Sequence, residues 1–273
     1  MSPRLVDTHC HLYLPGFSAD LPAVLARARQ SGVERILIPG IDLETSRAAV
    51  EMAEAHDDLF AAVGIHPHHA DQATPQALRE LEALAHSPKV RAIGEIGLDF
   101  YRNPDSADVQ LTALEAQLEL ATLLQLPVVL HSRQALETLL PILEAWSRPL
   151  PPPLQGRCGV LHAFAGDPAA AARATRSGFY LGAGGPITYP SAKTLRATLA
   201  HVQPGRLLIE TDAPYLPPQA HRGQRNEPAY VRYVAEALGE LTPASGEDTT
   251  EVVRSNAAHL FAWNHGNDDA QLC

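Results

Sequence analysis

Short runs of β-branched and aliphatic residues alternate with helical patterns eight times along this chain. The runs are Arg4–Thr8, Glu34–Pro39, Leu59–Gly64, Val90–Glu95, Pro127–His131, Gly159–His162, Gly178–Gly182 and Arg206–Thr211. Most are continuously apolar, as parallel strands buried on both faces must be. Helical spacing is expected over Leu21–Gln30, Leu43–Ala55, Pro75–Ala85, Ala107–Leu126, Ala135–Trp146, Pro168–Ser177, Ser191–Leu199 and Pro228–Leu238, with a closing helix over Gly246–Ala262. Ser18, Asp42 and Asp167 stand ahead of three of these, and Thr74 can cap a fourth with Pro75 at its first position. Such alternation indicates an α/β chain folded as a single-domain (β/α)8 TIM barrel. A doubly wound open sheet is the alternative. The barrel is preferred because the candidate ligands below converge only if the sheet closes.

The length of 273 residues suits one such barrel, and 45% apolar content can fill its core. The expected division is a barrel over 1–263 and a polar tail over 264–273. Pro149–Pro153 reads as a loop, and Ala213–Pro228 as the long loop after the last strand, where barrel enzymes carry specificity.

Several of the runs end in a residue able to hold a metal. His9 and His11 follow the first run, two residues apart and so on one face of a strand. They read as a pair of ligands, or as buried hydrogen-bonded histidines; Asp7, facing away, reads as their structural partner. Cys10 between them reads as core filler. Glu95 ends the fourth run, where a carboxylate is costly to bury unless it is paired or coordinated. Asp99 is placed in the following loop. His131 and His162 close the fifth and sixth runs, and Asp212 ends the eighth as ligand and general base, with Glu210 left to an internal ion pair. His66 follows the third run and reads as a substrate or phosphate contact; His68 and His69 read as exposed loop residues. Gly182-Ala183-Gly184-Gly185 either admits a substrate closely or forms a simple loop.

This inventory decides the chemistry. Four histidines and two carboxylates exceed a mononuclear catalytic zinc with three protein ligands and suit two divalent ions. Mg²⁺, Mn²⁺ and Zn²⁺ all fit such donors. No lysine ends a run, so Glu95 is the natural bridge. Nucleophile-elbow, Walker and dinucleotide motifs are missing, and three scattered cysteines form no CxxC pair. A net charge of −10 argues against gripping long nucleic acid by electrostatics alone, while allowing a local basic mouth. No signal-peptide pattern and no spanning apolar run is apparent, so a cytoplasmic protein without membrane contact or an obligate protein partner is expected.

VDTHCH at 6–11, GIHPH at 64–68, AIGEIGLDFY at 92–101, PVVLHSRQALE at 127–137, HAFAG at 162–166, LLIETDAPYLPP at 207–218 and RGQRNEP at 222–228 together resemble the TatD family of metal-dependent deoxyribonucleases, within the amidohydrolase-like barrels. DTHCHLYLPGFSAD and GGPITYP at 184–190 are most similar to its YjjV-type branch. The resemblance covers nearly the whole chain. It implies a TIM-barrel hydrolase cleaving phosphodiester bonds in DNA as an exonuclease. Its ligands would be His9, His11 and Asp212 at one ion and His131 and His162 at the other, with Glu95 between. Two departures touch outer contacts only: Tyr13 stands where the family often has Asp or Asn, and Ala165 where it often has a hydroxyl residue.

The expected reaction is attack on phosphorus by a hydroxide held between two ions and oriented by Asp212. Single strands or DNA ends are the expected partners. Arg133 and Arg225 are candidates for flanking phosphates, or else intrachain ion pairs. Tyr101, Phe100 or Tyr189 could stack a base. One rival keeps the metals and cleaves an ester or amide, as in an aminoacyl-tRNA deacylase. Another is a binding barrel without catalysis.

Overall fold

The apolar runs pair edge to edge into one closed layer. The computed structural model describes residues 4–102, 107–241 and 248–263. Its strands are β1 (Leu5–Asp7), β2 (Val33–Pro39), β3 (Leu59–Val63), β4 (Val90–Asp99), β5 (Val128–Arg133), β6 (Gly159–Leu161), β7 (Phe179–Ala183) and β8 (Leu207–Ile209). All pair in parallel, in sequence order. β1 and β8 meet at their C-terminal ends: Thr8 N donates to Ile209 O (3.1 Å), Asp212 N to His9 O (2.8 Å), and Cys10 bridges Ala213. The barrel therefore closes at the residues expected to carry the chemistry.

The helices are α1 (Leu21–Gln30), α2 (Leu43–Glu54), α3 (Pro75–Ala85), α4 (Ala107–Leu124), α5 (Leu136–Ser147), α6 (Pro168–Arg176), α7 (Lys193–Ala200), α8 (Val231–Leu241) and α9 (Thr249–Phe261). Side-chain oxygens of Asp42, Thr74 and Asp167 accept from backbone N–H groups in the first turns of α2, α3 and α6. Asp20, not Ser18, sits at the start of α1 and makes no cap bond. Pro228–Tyr230 is a 3-10 turn, so α8 begins at Val231. The expected start of the last helix at Gly246, and the polar tail, lie outside the described residues.

Apolar side chains fill two regions. The larger lies between the sheet and the helices. The smaller fills the barrel itself, with Val6, Leu37, Ala62, Ala92, Val129, Val160 and Leu208 drawn from seven strands. Phe60 and Tyr180 widen its N-terminal end, which Phe261 and Trp263 plug from the end of α9. A barrel packed this way is a solid core, so substrates can meet it only at its ends.

Leu37 is fully buried inside the barrel. Leu37→Ala is expected to cost about 2–5 kcal/mol, read as a lower urea midpoint with little change in slope.

Candidate metal centre

Seven titratable residues leave the C-terminal ends of the strands and meet in one buried cluster. His9 and His11 present their Nε2 atoms 3.2 Å apart. Asp212 Oδ1 lies 3.8 and 3.5 Å from those two nitrogens. Asp212 adopts a left-handed backbone (φ 57°), which aspartate tolerates better than most residues. Glu95 divides its carboxylate between two groups. Oε2 faces His9 Nε2 at 3.2 Å and His11 Nε2 at 3.6 Å. Oε1 faces His162 Nε2 at 2.9 Å, His131 Nδ1 at 3.0 Å and His66 Nε2 at 3.5 Å. His131 Nδ1 and His162 Nε2 are 3.3 Å apart.

The six expected ligands are thus brought together, and His66 joins them. Three overlapping sets each have their donor atoms within 4.8 Å of one another: His9, His11 and Asp212; His9, Glu95 and His162; His66, Glu95 and His131. Ligand bonds of about 2.0–2.2 Å set neighbouring donors roughly 3–3.6 Å apart, so these spacings fit a divalent cation.

Electrostatics agree with that fit. Burial pushes the Glu95 carboxyl up, but His162, His66 and His9 outweigh it and hold Glu95 well below the usual carboxylate range. Asp212 is likewise held down against burial by His11, His9 and His162. Burial lowers His162, yet Glu95 and Glu210 carry it well above the ordinary imidazole value. His131 is raised against burial by Asp99 and Glu95. Burial holds His66 well below, so that ring is neutral and able to donate a lone pair. The carboxylates demand positive charge, and imidazolium supplies it only by blocking nitrogens aimed inward. A divalent cation supplies the charge and leaves the imidazoles neutral.

Further groups hold the cluster from behind. His11 Nδ1 lies 2.9 Å from the Tyr13 hydroxyl and 3.2 Å from Pro39 O, and Tyr13 also donates to Pro39 O. His162 Nδ1 lies 3.5 Å from Glu210 Oε1, which also accepts from Ala163 N. A side chain at Gly182 would collide with Glu210, so this glycine makes room for a carboxylate. Asp7 accepts from Thr211 N and Oγ1 and from His9 N, and burial pushes its carboxyl up to about 7. Cys10 is buried, as core filler should be.

Two expectations about the loops are corrected. Asp99 is not in a loop: β4 continues to it, and Asp99 is fully buried. Its Oδ2 meets His68 Nε2 at 2.7 Å and His131 Nε2 at 3.2 Å. Hydrogen bonds from His131, Arg102 N and His68 overcome burial and hold Asp99 below its ordinary value. His68 is therefore a partner of the cluster, not an exposed residue. The signal was present in the period of two: Glu95, Gly97 and Asp99 share a face, and Gly97 takes φ 143° where a side chain would strike the His131 backbone.

The cluster opens into a cavity of about 580 Å³. Arg133 ends β5 on its rim, its Cζ 3.9 Å from the centroid of the Tyr101 ring. Tyr101 is 55% exposed, and Tyr215, which no local sequence pattern singles out, is 54% exposed on the rim beside Leu216. Phe100 packs against the core, and the Tyr189 hydroxyl donates to Pro217 O. Arg225 does not line the cavity. It pairs with Asp20, donates to Gly16 O and lies over Phe17, the intrachain alternative. Among the described residues no helix is long and apolar enough to cross a membrane.

Comparison with known proteins agrees with this geometry. Residues 6–262 match the model of the TatD-related DNase family. The chain is 38% identical to the uncharacterized metal-dependent hydrolase YabD of Bacillus subtilis, over 95% of this chain and all of that one. It is 37% identical to the 3′-5′ ssDNA/RNA exonuclease TatD of Edwardsiella piscicida, over 94% and 99% of the two chains. The crystal structure of Escherichia coli YjjV, a TatD homologue, superposes with a TM-score of 0.89 at 35% identity, covering 97% of this chain and 100% of that one. Eight parallel strands closing on a cluster able to bind metal, together with these similarities over almost the full length, show that the chain belongs to the TatD-related DNase family and is a metal-dependent hydrolase on a (β/α)8 barrel.

Proposed function

We propose that this chain hydrolyses phosphodiester bonds of single-stranded DNA from an end, in the cytoplasm, using two divalent ions. The observation that carries this reading is the Glu95 carboxylate, which turns one oxygen toward His9 and His11 and the other toward His131, His162 and His66. One carboxylate facing two groups of imidazoles suits two neighbouring cations. We assign His9, His11 and Asp212 to one ion, His131 and His162 to the other, and Glu95 to both. His66 takes either a place at the second ion or the phosphate contact its sequence suggested. When bound, such ions activate water and neutralise charge on phosphate oxygens.

The chain's own residues supply the rest. Asp212 is the base that accepts the proton of the attacking water. Glu210 orients His162 and Asp99 orients His131, each from the ring nitrogen that faces away from Glu95. Arg133, lying over the Tyr101 ring, offers its planar fork to a flanking phosphate. Tyr101 and Tyr215 each leave ring surface on which an unpaired base can stack. A duplex keeps its bases stacked on each other, so this rim favours single strands. The relative from Edwardsiella piscicida is named for action on single-stranded DNA and RNA, which supports the same substrate class.

The direct test is shortening of end-labelled single-stranded DNA by metal-stripped protein resupplied with Mg²⁺, Mn²⁺ or Zn²⁺. Metal-dependent shortening is expected, with turnover falling at least ~10²-fold in Asp212→Asn. Intact DNA under every metal, with two ions bound per chain, rejects the nuclease and directs the search to carboxylic esters. Glu210→Gln is expected to weaken metal affinity by about 10–100-fold, measured by metal titration. Tyr215→Ala is expected to raise KM for oligonucleotides by roughly 5–150-fold, the equivalent of about 1–3 kcal/mol of lost stacking, while metal affinity stays unchanged.

A further inference from the structure

The barrel end remote from the metal centre carries a layer of arginines. An arginine lies close to the start of every even-numbered strand: Arg35 as the third residue of β2, Arg91 as the second residue of β4, Arg157 two residues before β6 and Arg206 directly before β8. In an eight-stranded barrel, alternate strands contribute the side chains of one layer. Contacts agree with that placement. Arg35 and Arg91 lie over the ring of Phe60, on the intervening β3, with Cζ 6.0 and 5.4 Å from its centroid. Arg206 lies over the ring of Tyr180, on β7, at 5.1 Å. Arg157 is close enough to feel both Tyr180 and Arg91.

In this acidic chain other arginines find carboxylates, such as Arg27 with Glu227, Arg29 with Asp58 and Arg173 with Glu144. Among the described residues no carboxylate forms an ion pair with Arg35, Arg91, Arg157 or Arg206. Arg206 uses Nη1 on the carbonyls of Gly156 and Gly178, and neighbouring Lys89 donates to three further carbonyls. Asp57 and Asp58 act on Lys89, and Asp58 is already held by Arg29. Four donors here are buried with no acceptor among the described residues: Nε of Arg35, Arg91 and Arg157, and Nε1 of Trp263, whose ring sits 5.2 Å from Phe60. Burial lowers the affinity of Arg91 and Arg157 for their protons, and no carboxylate offsets it. The C-terminal end of α9 offers only about half an elementary charge against four cations. All four arginines are partly exposed.

We propose that this N-terminal mouth of the barrel is a second ligand site, which takes a phosphate-type oxyanion on the guanidinium forks of Arg35, Arg91 and Arg157. A planar fork matches two phosphate oxygens at once, and a dianion supplies the missing charge. Inorganic phosphate and the phosphate of a nucleoside monophosphate share that chemistry. The site is independent of the metal centre, since it lies at the opposite ends of the strands.

The test uses the full chain freed of metal by a chelator. It is titrated with inorganic phosphate and with deoxyadenosine 5′-monophosphate at constant ionic strength, with chloride as control. Modification of each arginine by phenylglyoxal is followed by peptide mass spectrometry. Phosphate is expected to protect Arg91 and Arg157 saturably in the unmutated protein. Arg91→Gln and Arg157→Gln are each expected to weaken phosphate binding by about tenfold or more, while His131→Ala leaves it unchanged. Equal binding of both probes assigns the site to free phosphate, and tighter binding of the nucleotide assigns it to a nucleotide. Protection by chloride equal to that by phosphate overturns the proposal, as does unchanged phosphate affinity in both arginine variants.

Discussion

A fully buried carboxylate organises this molecule. Glu95 lies at 3% exposure at the centre of the C-terminal mouth, and four strand ends bring imidazoles to it. A carboxylate out of water needs compensating charge or coordination, because desolvation alone would protonate it. The histidines meet that need only when the barrel is closed, since they come from β1, β3, β5 and β6. Closure and the site are therefore one requirement. The strands that join the circle, β1 and β8, do so through the backbone of His9, Ile209 and Asp212, so the last hydrogen bonds of the sheet also set the first pair of histidines against Asp212.

The same logic extends outward in rings. Tyr13 and Asp99 hold ring nitrogens of His11 and His131 that face away from Glu95, and Glu210 stands 3.5 Å from the corresponding nitrogen of His162. Asp7 does comparable work on the backbone by tying Thr211 to His9. Tyr13 ties the segment after β1 to the end of β2, its hydroxyl reaching both His11 and the Pro39 carbonyl. The two barrel ends then diverge in character. One gathers carboxylates and imidazoles that suit cations, and the other gathers guanidinium groups that suit anions, with a packed apolar core between them.

The alternation of apolar runs and helical patterns was enough to read a closed barrel, and the ends of those runs named the residues that cluster. Both follow from local physics: strands buried on both faces are apolar throughout, and a polar residue ending one is conspicuous. Asp99 was misplaced because Glu95 read as the end of its strand. The apolar stretch continues through Ile96 and Leu98, so a period of two already carried the strand face on to Asp99. His68 was missed because its role depends on Asp99. Tyr215 and the arginine layer left no local trace, since an exposed aromatic and a scattered arginine look ordinary along the chain.

Periodicity and residue chemistry are local properties, so the barrel, the order of its elements and the inventory of the metal-type donors are legible along the chain. It takes the folded chain to set which donors face each other, to divide the Glu95 oxygens between two groups, to bind Arg225 to Asp20 rather than leave it free at the mouth, and to gather four arginines spaced along the chain at one end of the barrel. Those are facts of distance between residues far apart in sequence, and distance is fixed only when the eighth strand returns to the first.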